Sequence, residues 1–386
     1  MSNAGNQTKL VAVIGAGPAG LYASQYLARK GVQVVLFNRD IKPGGLAEYG
    51  IFPDKQKMRE GLKAQFTRIL EMPNVHYRGN VTVGKSGDLH LDHLRQAGFQ
   101  AFMVTTGAQE NYWLGLPGED LRGVYQANDL VFHYNRLPEK ADQVFDLGDN
   151  IVVIGAGNVM LDILHYLKQE GKARRVTAYA RRGPTEVKFD RQTLAPVAEC
   201  LELAQIREAV DQALPQVEKV GREVSEFFSL ICEAREKASE RDSILSVQMQ
   251  FLRSPRRLAG DDIGRLKGIV FEVNALKLEG DRVVPKGTGV MEYIEADTVI
   301  FSIGSRVDSG FGLPVAYGNF VTNPDPRFPV DGISYEVYNP DLCAQCEDIF
   351  VSGWARHASE GVVGLARKDA ERGARALLQY LDTPNP

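Results

Sequence analysis

At 386 residues the chain is too long for one ordinary core, and its net charge of −4 gives no general attraction to nucleic acid or acidic lipid. The segment Met1–Thr8 lacks the basic and apolar regions of a signal peptide, and no later run approaches the length of a membrane span. Four cysteines are too few for a disulfide framework, so reduced thiols are expected. We therefore predict a cytoplasmic, two-domain protein that neither binds DNA nor inserts into a membrane.

The first element is the apolar run Leu10–Ile14, which enters a glycine turn. Apolar residues then recur at helical spacing over Leu21–Lys30, and Val32–Phe37 reads as the next strand. A strand, a turn, a helix and a second strand in this order are typical of a parallel, doubly wound α/β sheet.

The glycine turn matches the fingerprint of dinucleotide-binding domains. Gly15 suits the tight turn, Gly17 lets the backbone approach a pyrophosphate, and Gly20 lets the helix pack on the strand. The phosphates of the ligand would lie at the positive end of the helix. Asn38 occupies the position of the usual ribose-binding acid, and its amide can still hydrogen-bond a hydroxyl.

The same pattern recurs with the strand Ile151–Ile154, a second glycine turn, a helix over Val159–Gln169 and the strand Val176–Ala180. In this turn Met160 replaces the usual third glycine, which predicts a wider gap between helix and strand.

Two arginines follow the last of these strands, where an enzyme that uses NAD would carry an acid. Arg181 and Arg182 favour a ribose 2′-phosphate, so the pair predicts NADP; alternatively, the two side chains only cap an exposed strand end.

Other segments suggest how the two units connect. Ala101–Ala108 and Thr298–Gly304 read as strands near the crossings between domains, and Leu116–Glu119 as a turn that serves one crossing. Glu202–Arg241 is helical in character, interrupted by Pro215, and is expected to pack on the second domain. Further strands are predicted at Val247–Leu252, Gly268–Val273, Asp281–Val284 and Asp348–Ser352. A final helix follows the last strand and ends near Leu381.

These motifs together resemble the adrenodoxin reductase family of ferredoxin–NADP reductases, almost from end to end. The NADPH-oxidising subunit of glutamate synthase is also similar but matches less well. Besides the two fingerprints, the resemblance rests on Gly45-Leu46, Tyr49–Ile51, Pro53-Asp54, Leu116–Glu119, Gly157–Asp162, Arg181–Pro184, Phe251–Pro255, Ser302–Gly304 and Ser352–Trp354.

The resemblance implies an α/β fold with two nested Rossmann-like dinucleotide-binding domains, in the architecture of glutathione reductase. Residues 1–107 and 307–386 would form a discontinuous FAD-binding domain. Residues 108–306 would form the NADP(H)-binding domain, with a helical excursion over 202–241.

It also implies which residues bind the cofactors. The FAD site would include Gly15, Gly17, Gly20, Asn38, Gly45, Leu46, Gly107, Gly353, Trp354, Gly361, Val362 and Val363. The NADP(H) site would include Gly155, Gly157, Asn158, Val159, Arg181 and Arg182.

The candidates for a part in catalysis are Trp354, Asp162 and Lys55. Trp354 would cover the flavin. Lys55 stands where the family has a histidine bonded to the aspartate that matches Asp162, so it either forms an ion pair with Asp162 or is solvated. Glu360 would place like charge near a reduced flavin unless it points away.

The implied activity is that of an oxidoreductase in which FAD accepts hydride from NADPH and electrons pass singly to a ferredoxin-like iron–sulfur carrier. Two alternatives are direct reduction of a quinone, oxygen or small molecule, and a flavoprotein interaction subunit with weakened catalysis. We expect no metal site and no redox role for Cys343 and Cys346. The arginines at 253, 256 and 257 would either dock an acidic carrier or form a solvated strand edge.

Overall fold

A computed structural model of the chain describes residues 8–240, 242–357 and 363–383. They form two units: the first runs to Tyr112 and resumes at Gly304, and the second is Trp113–Ile303. The second unit is thus inserted into the first. Among the described residues, no helix combines the length and the apolar character needed to span a membrane.

Strands and helices alternate through both units. In chain order, the strands of the described residues are β1 (Leu10–Ile14), β2 (Gln33–Asn38), β3 (Val75–Gly79), β4 (Ala101–Val104), β5 (Glu110–Asn111), β6 (Val124–Gln126), β7 (Asn150–Ile154), β8 (Arg175–Tyr179), β9 (Ser246–Gln250), β10 (Arg253–Gly260), β11 (Leu266–Glu279), β12 (Arg282–Glu295), β13 (Thr298–Phe301), β14 (Ser305–Arg306), β15 (Val315–Ala316), β16 (Asn319–Phe320), β17 (Glu336–Asn339) and β18 (Ala344–Val351). The α-helices are α1 (Pro18–Arg29), α2 (Leu46–Tyr49), α3 (Gln56–Leu70), α4 (Leu91–Gln96), α5 (Ala127–Tyr134), α6 (Asn158–Glu170), α7 (Arg191–Leu194), α8 (Leu203–Lys219), α9 (Ser225–Glu236) and α10 (Val363–Leu381).

The first unit is built on a six-stranded sheet in the order β17-β18-β4-β1-β2-β3. β1 is parallel to both β2 and β4, and only β17 runs antiparallel to its neighbour. The central strands β1 and β4 consist of apolar residues because both faces of the sheet are buried, one in each of two hydrophobic clusters. α1 packs against α3 and α10 on one of these faces. The glycine turn after β1 is therefore held between a buried strand and a buried helix.

The second unit repeats this plan with a five-stranded parallel sheet in the order β6-β13-β7-β8-β9. β7, α6 and β8 follow one another as β1, α1 and β2 do in the first unit. Two such sheets, one unit inserted in the other, confirm the predicted α/β class with two nested dinucleotide-binding folds.

A separate antiparallel sheet, β10-β11-β12, was only partly predicted from the sequence. β10 was predicted only as the alternative of a strand edge at the arginines 253, 256 and 257, and β12 extends far beyond the predicted Asp281–Val284. Pro285, Gly287 and Gly289 have low β-strand propensity, so the sequence does not predict the full length of β12. The three residues are tolerated because β12 is an edge strand of the sheet.

The prediction that Pro215 interrupts the helical excursion was wrong. Pro215 lies inside the continuous helix α8. The residue costs one backbone hydrogen bond, but α8 buries an apolar stripe that stabilises the helix in spite of the loss. The buried residues of this stripe are Ile206, Ala209, Val210, Ala213 and Val217.

Candidate functional site

The first glycine turn is packed tightly on two sides and open on the third. A Cβ at Gly15 would lie 2.6 Å from the Thr105 carbonyl oxygen, and one at Gly20 would lie 1.8 Å from that of Gly15. A Cβ at Gly17 would meet no described atom within 4 Å. Gly15 and Gly20 are thus required for packing, whereas Gly17 leaves space in front of α1, where backbone N–H groups attract an anion.

Asn38 ties this turn to the loop after β2. Its side chain is 6% exposed, and its Oδ1 accepts a hydrogen bond of 3.0 Å from the Ala16 N–H. Its Nδ2 donates to the carbonyl oxygens of Asp40 at 2.8 Å and Lys42 at 3.1 Å. Both amide hydrogens therefore point into the protein, and only the second lone pair of Oδ1 is left for a ribose hydroxyl.

The segment that begins α2 lies against the same turn. The Gly44 N–H donates to the Ala16 carbonyl at 2.7 Å. A Cβ at Gly45 would lie 3.0 Å from the Gly17 Cα, so a larger residue at 45 would crowd the open side of the turn. Leu46 follows as the first residue of α2.

Thr105, Thr106 and Gly107 follow the neighbouring strand β4. The Thr105 hydroxyl donates to the turn, with the Ile14 carbonyl 3.0 Å and the Gly15 carbonyl 2.9 Å away. The Thr106 Oγ1 is buried and has no hydrogen-bond partner among the described residues. Such a group is costly to bury unpaired, and among the several buried atoms of this kind Thr106 Oγ1 lies next to the glycine turn, so Thr106 is a candidate ligand contact that the fingerprint alone does not reveal.

Gly353 and Trp354 follow β18 after one intervening residue, Ser352, and Gly353 lies beside the N-terminus of α1. Gly353 has φ +70°, a left-handed value, and a Cβ there would lie 2.6 Å from the Cβ of Ala19. Trp354 is half-buried and packs against a cluster of buried apolar residues of the first unit that includes Ile14, Val104 and Val351. Val363 begins α10 and is half-buried, whereas Gly361, Val362 and Glu360 lie outside the described residues.

Lys55 and Asp162 are half-buried residues of different units. Lys55 directly precedes α3 in the first unit, and Asp162 lies in α6 of the second. Their ion pair stays a prediction.

The second glycine turn has the same open and closed sides. A Cβ at Gly155 would lie 2.1 Å from the Ser302 carbonyl oxygen, while at Gly157 the nearest described atom would be the Lys188 carbonyl oxygen at 3.8 Å. Val159 is 42% exposed at the start of α6, and Met160 is fully buried. The bulky Met160 is therefore accommodated in the core beside the strand.

A loop that the sequence did not single out lies beside this second turn. Lys188 forms a bridge with Gly157, and its N–H donates to the Ala156 carbonyl at 2.9 Å. Asn158 Nδ2 donates to Asp190 Oδ2 at 3.0 Å, and the Asp190 N–H donates back to Asn158 Oδ1 at 3.1 Å. Asp190 thus brings a carboxylate to the N-terminus of α6.

Arg181 and Arg182 follow β8. Because β8 is parallel to β7, the two arginines lie at the same end of the sheet as the glycine turn that follows β7. Arg181 is exposed and Arg182 is half-buried. Burial and the neighbouring charge of Arg181 lower the pKa of Arg182, although Glu186 opposes the shift. Two adjacent guanidinium groups repel each other, so an anion bound between them would be stabilised.

Comparison with known proteins agrees with this geometry. The family model described as pyridine nucleotide-disulphide oxidoreductase matches residues 9–335. The mitochondrial NADPH:adrenodoxin oxidoreductase of Salvelinus fontinalis is 30% identical, over 96% of this chain and 77% of its own length. The chain belongs to the pyridine nucleotide-disulphide oxidoreductase family. Within that family it is a flavoprotein oxidoreductase related to adrenodoxin reductases, which confirms the predicted resemblance and enzyme class.

Two further relatives support this place in the family. The NADPH-ferredoxin reductase FprA of Mycobacterium leprae is 28% identical, over 97% of this chain and 84% of its own length. The structure of Mycobacterium tuberculosis FprA in complex with NADPH is 25% identical with a TM-score of 0.78, and covers 97% of this chain and 85% of FprA. Thioredoxin reductase of Lactococcus lactis, at 17% identity and a TM-score of 0.54, shares the fold.

The family name raises the question of a disulfide, and Cys343 and Cys346 are poorly placed to form one. Cys343 is exposed directly before β18, and Cys346 is a half-buried residue within β18. The two residues between them, Ala344 and Gln345, are extended strand residues, and an extended chain places Cα atoms three positions apart at about 10 Å, whereas a disulfide needs less than about 7 Å. Burial and Asp348 raise the pKa of the Cys346 thiol, against the chemistry of a reactive thiolate.

Two of the three arginines of β10 form ion pairs with the other strands of their sheet. Arg253 contacts Glu292 at 2.6 Å, and Arg256 pairs with the buried Glu272. Arg257 is exposed. The paired guanidinium groups are therefore largely neutralised, which argues against the three arginines as one docking site for an acidic carrier.

Proposed function

We propose that this oxidoreductase binds FAD in its first unit and NADP(H) in its second, and delivers electrons one at a time to a ferredoxin-like iron–sulfur carrier. The observation that carries the proposal is the repeated glycine turn, in which Gly17 and Gly157 leave space in front of a helix N-terminus. One turn is followed by Asn38 and the other by an arginine pair, so the two turns suit different nucleotides.

The residues around the first turn fit an elongated flavin dinucleotide. The close approach of Gly45 to Gly17 and of Gly353 to Ala19 leaves a backbone surface with few side chains next to the α1 N-terminus. The buried Thr106 Oγ1 offers a hydrogen-bonding group without a partner among the described residues. We expect FAD to be bound non-covalently along this surface, with Trp354 over the ring system.

In the second unit, the arginine pair supports NADP(H) over NAD(H). Arg181 and Arg182 lie after β8, the strand next to the glycine turn, where a dinucleotide's adenosine ribose is held in this fold. Their charge favours the 2′-phosphate that distinguishes the two nucleotides.

The chemistry supplied by FAD when bound is acceptance of a hydride and release of single electrons. The chain's own part is to bind and to orient. The α1 N-terminus and Asn38 position the adenosine end, and Gly45 lets the cofactor approach the backbone. Trp354 excludes water from the reacting end, and Arg181 holds the nicotinamide nucleotide by its 2′-phosphate. No acid or base from the protein is needed for this transfer.

The acceptor is proposed from the relatives named above, which are reductases of adrenodoxin and ferredoxin by name. A cytoplasmic location is proposed as well, since all four cysteines are free, as expected in a reducing compartment.

Anaerobic titration of the purified holoenzyme tests the function directly. NADPH should bleach the visible flavin absorbance much faster than NADH, and oxidised ferredoxin added afterwards should restore it. Recovery with a quinone but not with ferredoxin would replace the carrier by a small-molecule acceptor. Absence of bleaching in a protein that retains FAD would favour the interaction subunit.

A further inference from the structure

The loop over residues 187–190 places a negative charge at the second glycine turn. Its main chain is fixed there by the bridge between Lys188 and Gly157 and by the hydrogen bond from Lys188 to Ala156. Asp190 contacts Asn158, the residue after the turn, through both its side chain and its backbone N–H.

The two oxygens of the Asp190 carboxylate have different partners. Oδ1 caps α7 by accepting the Thr193 N–H at 2.8 Å and the Thr193 hydroxyl at 3.1 Å. Oδ2 accepts the Asn158 amide at 3.0 Å. Burial opposes ionisation of Asp190, but these hydrogen bonds outweigh it and lower its pKa. The following residue, Arg191, pairs instead with Glu233 at 2.6 Å.

Asn158 is the first residue of α6, where the phosphates of a dinucleotide bind in this fold. The Asp190 carboxylate therefore lies close to the place where a pyrophosphate would bind. It also accepts the hydrogen bond of the Asn158 amide, which could otherwise donate to the phosphates. A bound pyrophosphate would also be repelled by this nearby charge.

We propose that Asp190 is a built-in competitor of the dinucleotide: it weakens NADP(H) binding by holding Asn158 and by repelling the pyrophosphate. This proposal rests on the proposed function, because it takes the second unit as the NADP(H) site. Its consequence is fast release of the oxidised nucleotide, since Asp190 recaptures Asn158 when the phosphates leave.

The test is the dissociation constant of NADP⁺ for the FAD-loaded enzyme, measured by calorimetry for wild type and Asp190→Ser. Serine keeps an oxygen to cap α7 but removes the charge and frees the Nδ2 donor of Asn158, while the backbone N–H of residue 190 still donates to Asn158 Oδ1. We expect NADP⁺ to bind about 3- to 30-fold more tightly to Asp190→Ser, with the gain largest at low ionic strength. Adenosine 2′-monophosphate, which lacks the pyrophosphate, should bind equally to both proteins.

Two further variants make the result decisive. Asp190→Asn retains the size and the cap and should also tighten NADP⁺ binding, which covers the case in which the serine variant folds poorly. Asp149→Ser is the matched control: it removes an equal charge from an exposed ion pair with Arg174, before β7 and hence at the opposite end of that strand from the glycine turn.

Unchanged or weaker NADP⁺ binding in a folded Asp190 variant overturns the proposal, as does equal tightening of adenosine 2′-monophosphate or equal tightening in Asp149→Ser. Failure of the wild type to bind NADP⁺ at all would instead overturn the proposed function and this proposal with it.

Discussion

The Asp369 carboxylate of α10 accepts the Gly353 N–H at 2.6 Å and thereby holds the turn that carries Trp354. The same carboxylate accepts the Tyr335 hydroxyl at 3.1 Å and forms a buried ion pair with Arg356. The Arg356 guanidinium in turn lies 4.7 Å from the centre of the Tyr335 ring. One side chain thus fixes both flanks of the turn proposed to cover the flavin.

Asp369→Ala should lower the free energy of unfolding by about 3–5 kcal/mol, because it leaves the buried Arg356 without its partner. It should also release FAD, since the Gly353 turn loses its anchor. Thermal melts and the FAD-to-protein ratio measure both effects. The control Asp331→Asn breaks the exposed pair with Arg372 on the same helix, suits the left-handed backbone of residue 331 as aspartate does, and should cost less than about 1 kcal/mol. Equal losses in the two variants would show that Asp369 has no special part.

A second prediction reverses what the sequence alone suggests for Asn38. From the fingerprint, Asn38→Asp should bind FAD as well or better, because aspartate is the usual ribose ligand. In the structure, however, the new carboxylate would face the carbonyls of Asp40 and Lys42, which now accept from the amide. We expect the variant to lose FAD, at about 1–3 kcal/mol for the unpaired polar groups.

Asn74→Asp is the matched control for Asn38→Asp. The Asn74 amide also donates to two carbonyls, those of Ala28 and Val32, at 2.8 and 2.9 Å, but it does not contact the glycine turn. Both variants should lower the melting temperature, and only Asn38→Asp should raise the FAD dissociation constant strongly. Tight FAD binding by Asn38→Asp would return the residue to the role that its sequence position indicates.

These residues show which parts of the site a sequence can reveal. The two glycine turns were predictable because strand, glycines and helix follow one another in a short local pattern, in which close packing restricts Gly15, Gly20 and Gly155 to glycine. The partners of the Asn38 amide were not, because the direction of a hydrogen bond depends on how the following loop folds back.

Thr106 and Asp190 were missed for a related reason. Each is brought to a glycine turn by a different segment, β4 in one unit and the loop after β8 in the other, and neither carries a local pattern of its own. The fold class follows from periodicity within short segments, whereas contacts between distant segments need the tertiary structure.

The cysteine pair gives a third prediction. Cys343→Ser with Cys346→Ser should leave NADPH-dependent bleaching of the flavin within a few-fold of wild type. Cys346 lies in the extended strand β18 and Cys343 in the turn before it, which places the two residues too far apart to cycle through a disulfide. Stopped-flow absorbance of the FAD-loaded protein measures the rate. A complete block of bleaching with FAD still bound would make the pair part of the electron path.

The last prediction concerns nucleotide choice at Arg181 and Arg182. A charge-assisted hydrogen bond to a phosphate contributes about 1.5–3 kcal/mol, so losing one should weaken NADPH use by roughly 10- to 150-fold. NADH has no 2′-phosphate, so its Michaelis constant should stay nearly unchanged. The two variants Arg181→Ala and Arg182→Ala, made separately, should each raise the Michaelis constant for NADPH.

The turnover number should change little in either variant, because the 2′-phosphate is remote from the reacting carbon and its contacts are the same in the ground and transition states. Arg174→Ala, which removes an exposed arginine paired with Asp149 just before β8, is the control and should leave both nucleotides unaffected. Steady-state kinetics with each nucleotide decides the matter. If Arg181→Ala and Arg182→Ala both keep the native preference, or if the native enzyme prefers NADH, the arginine pair is a surface feature and the assignment of NADP(H) fails.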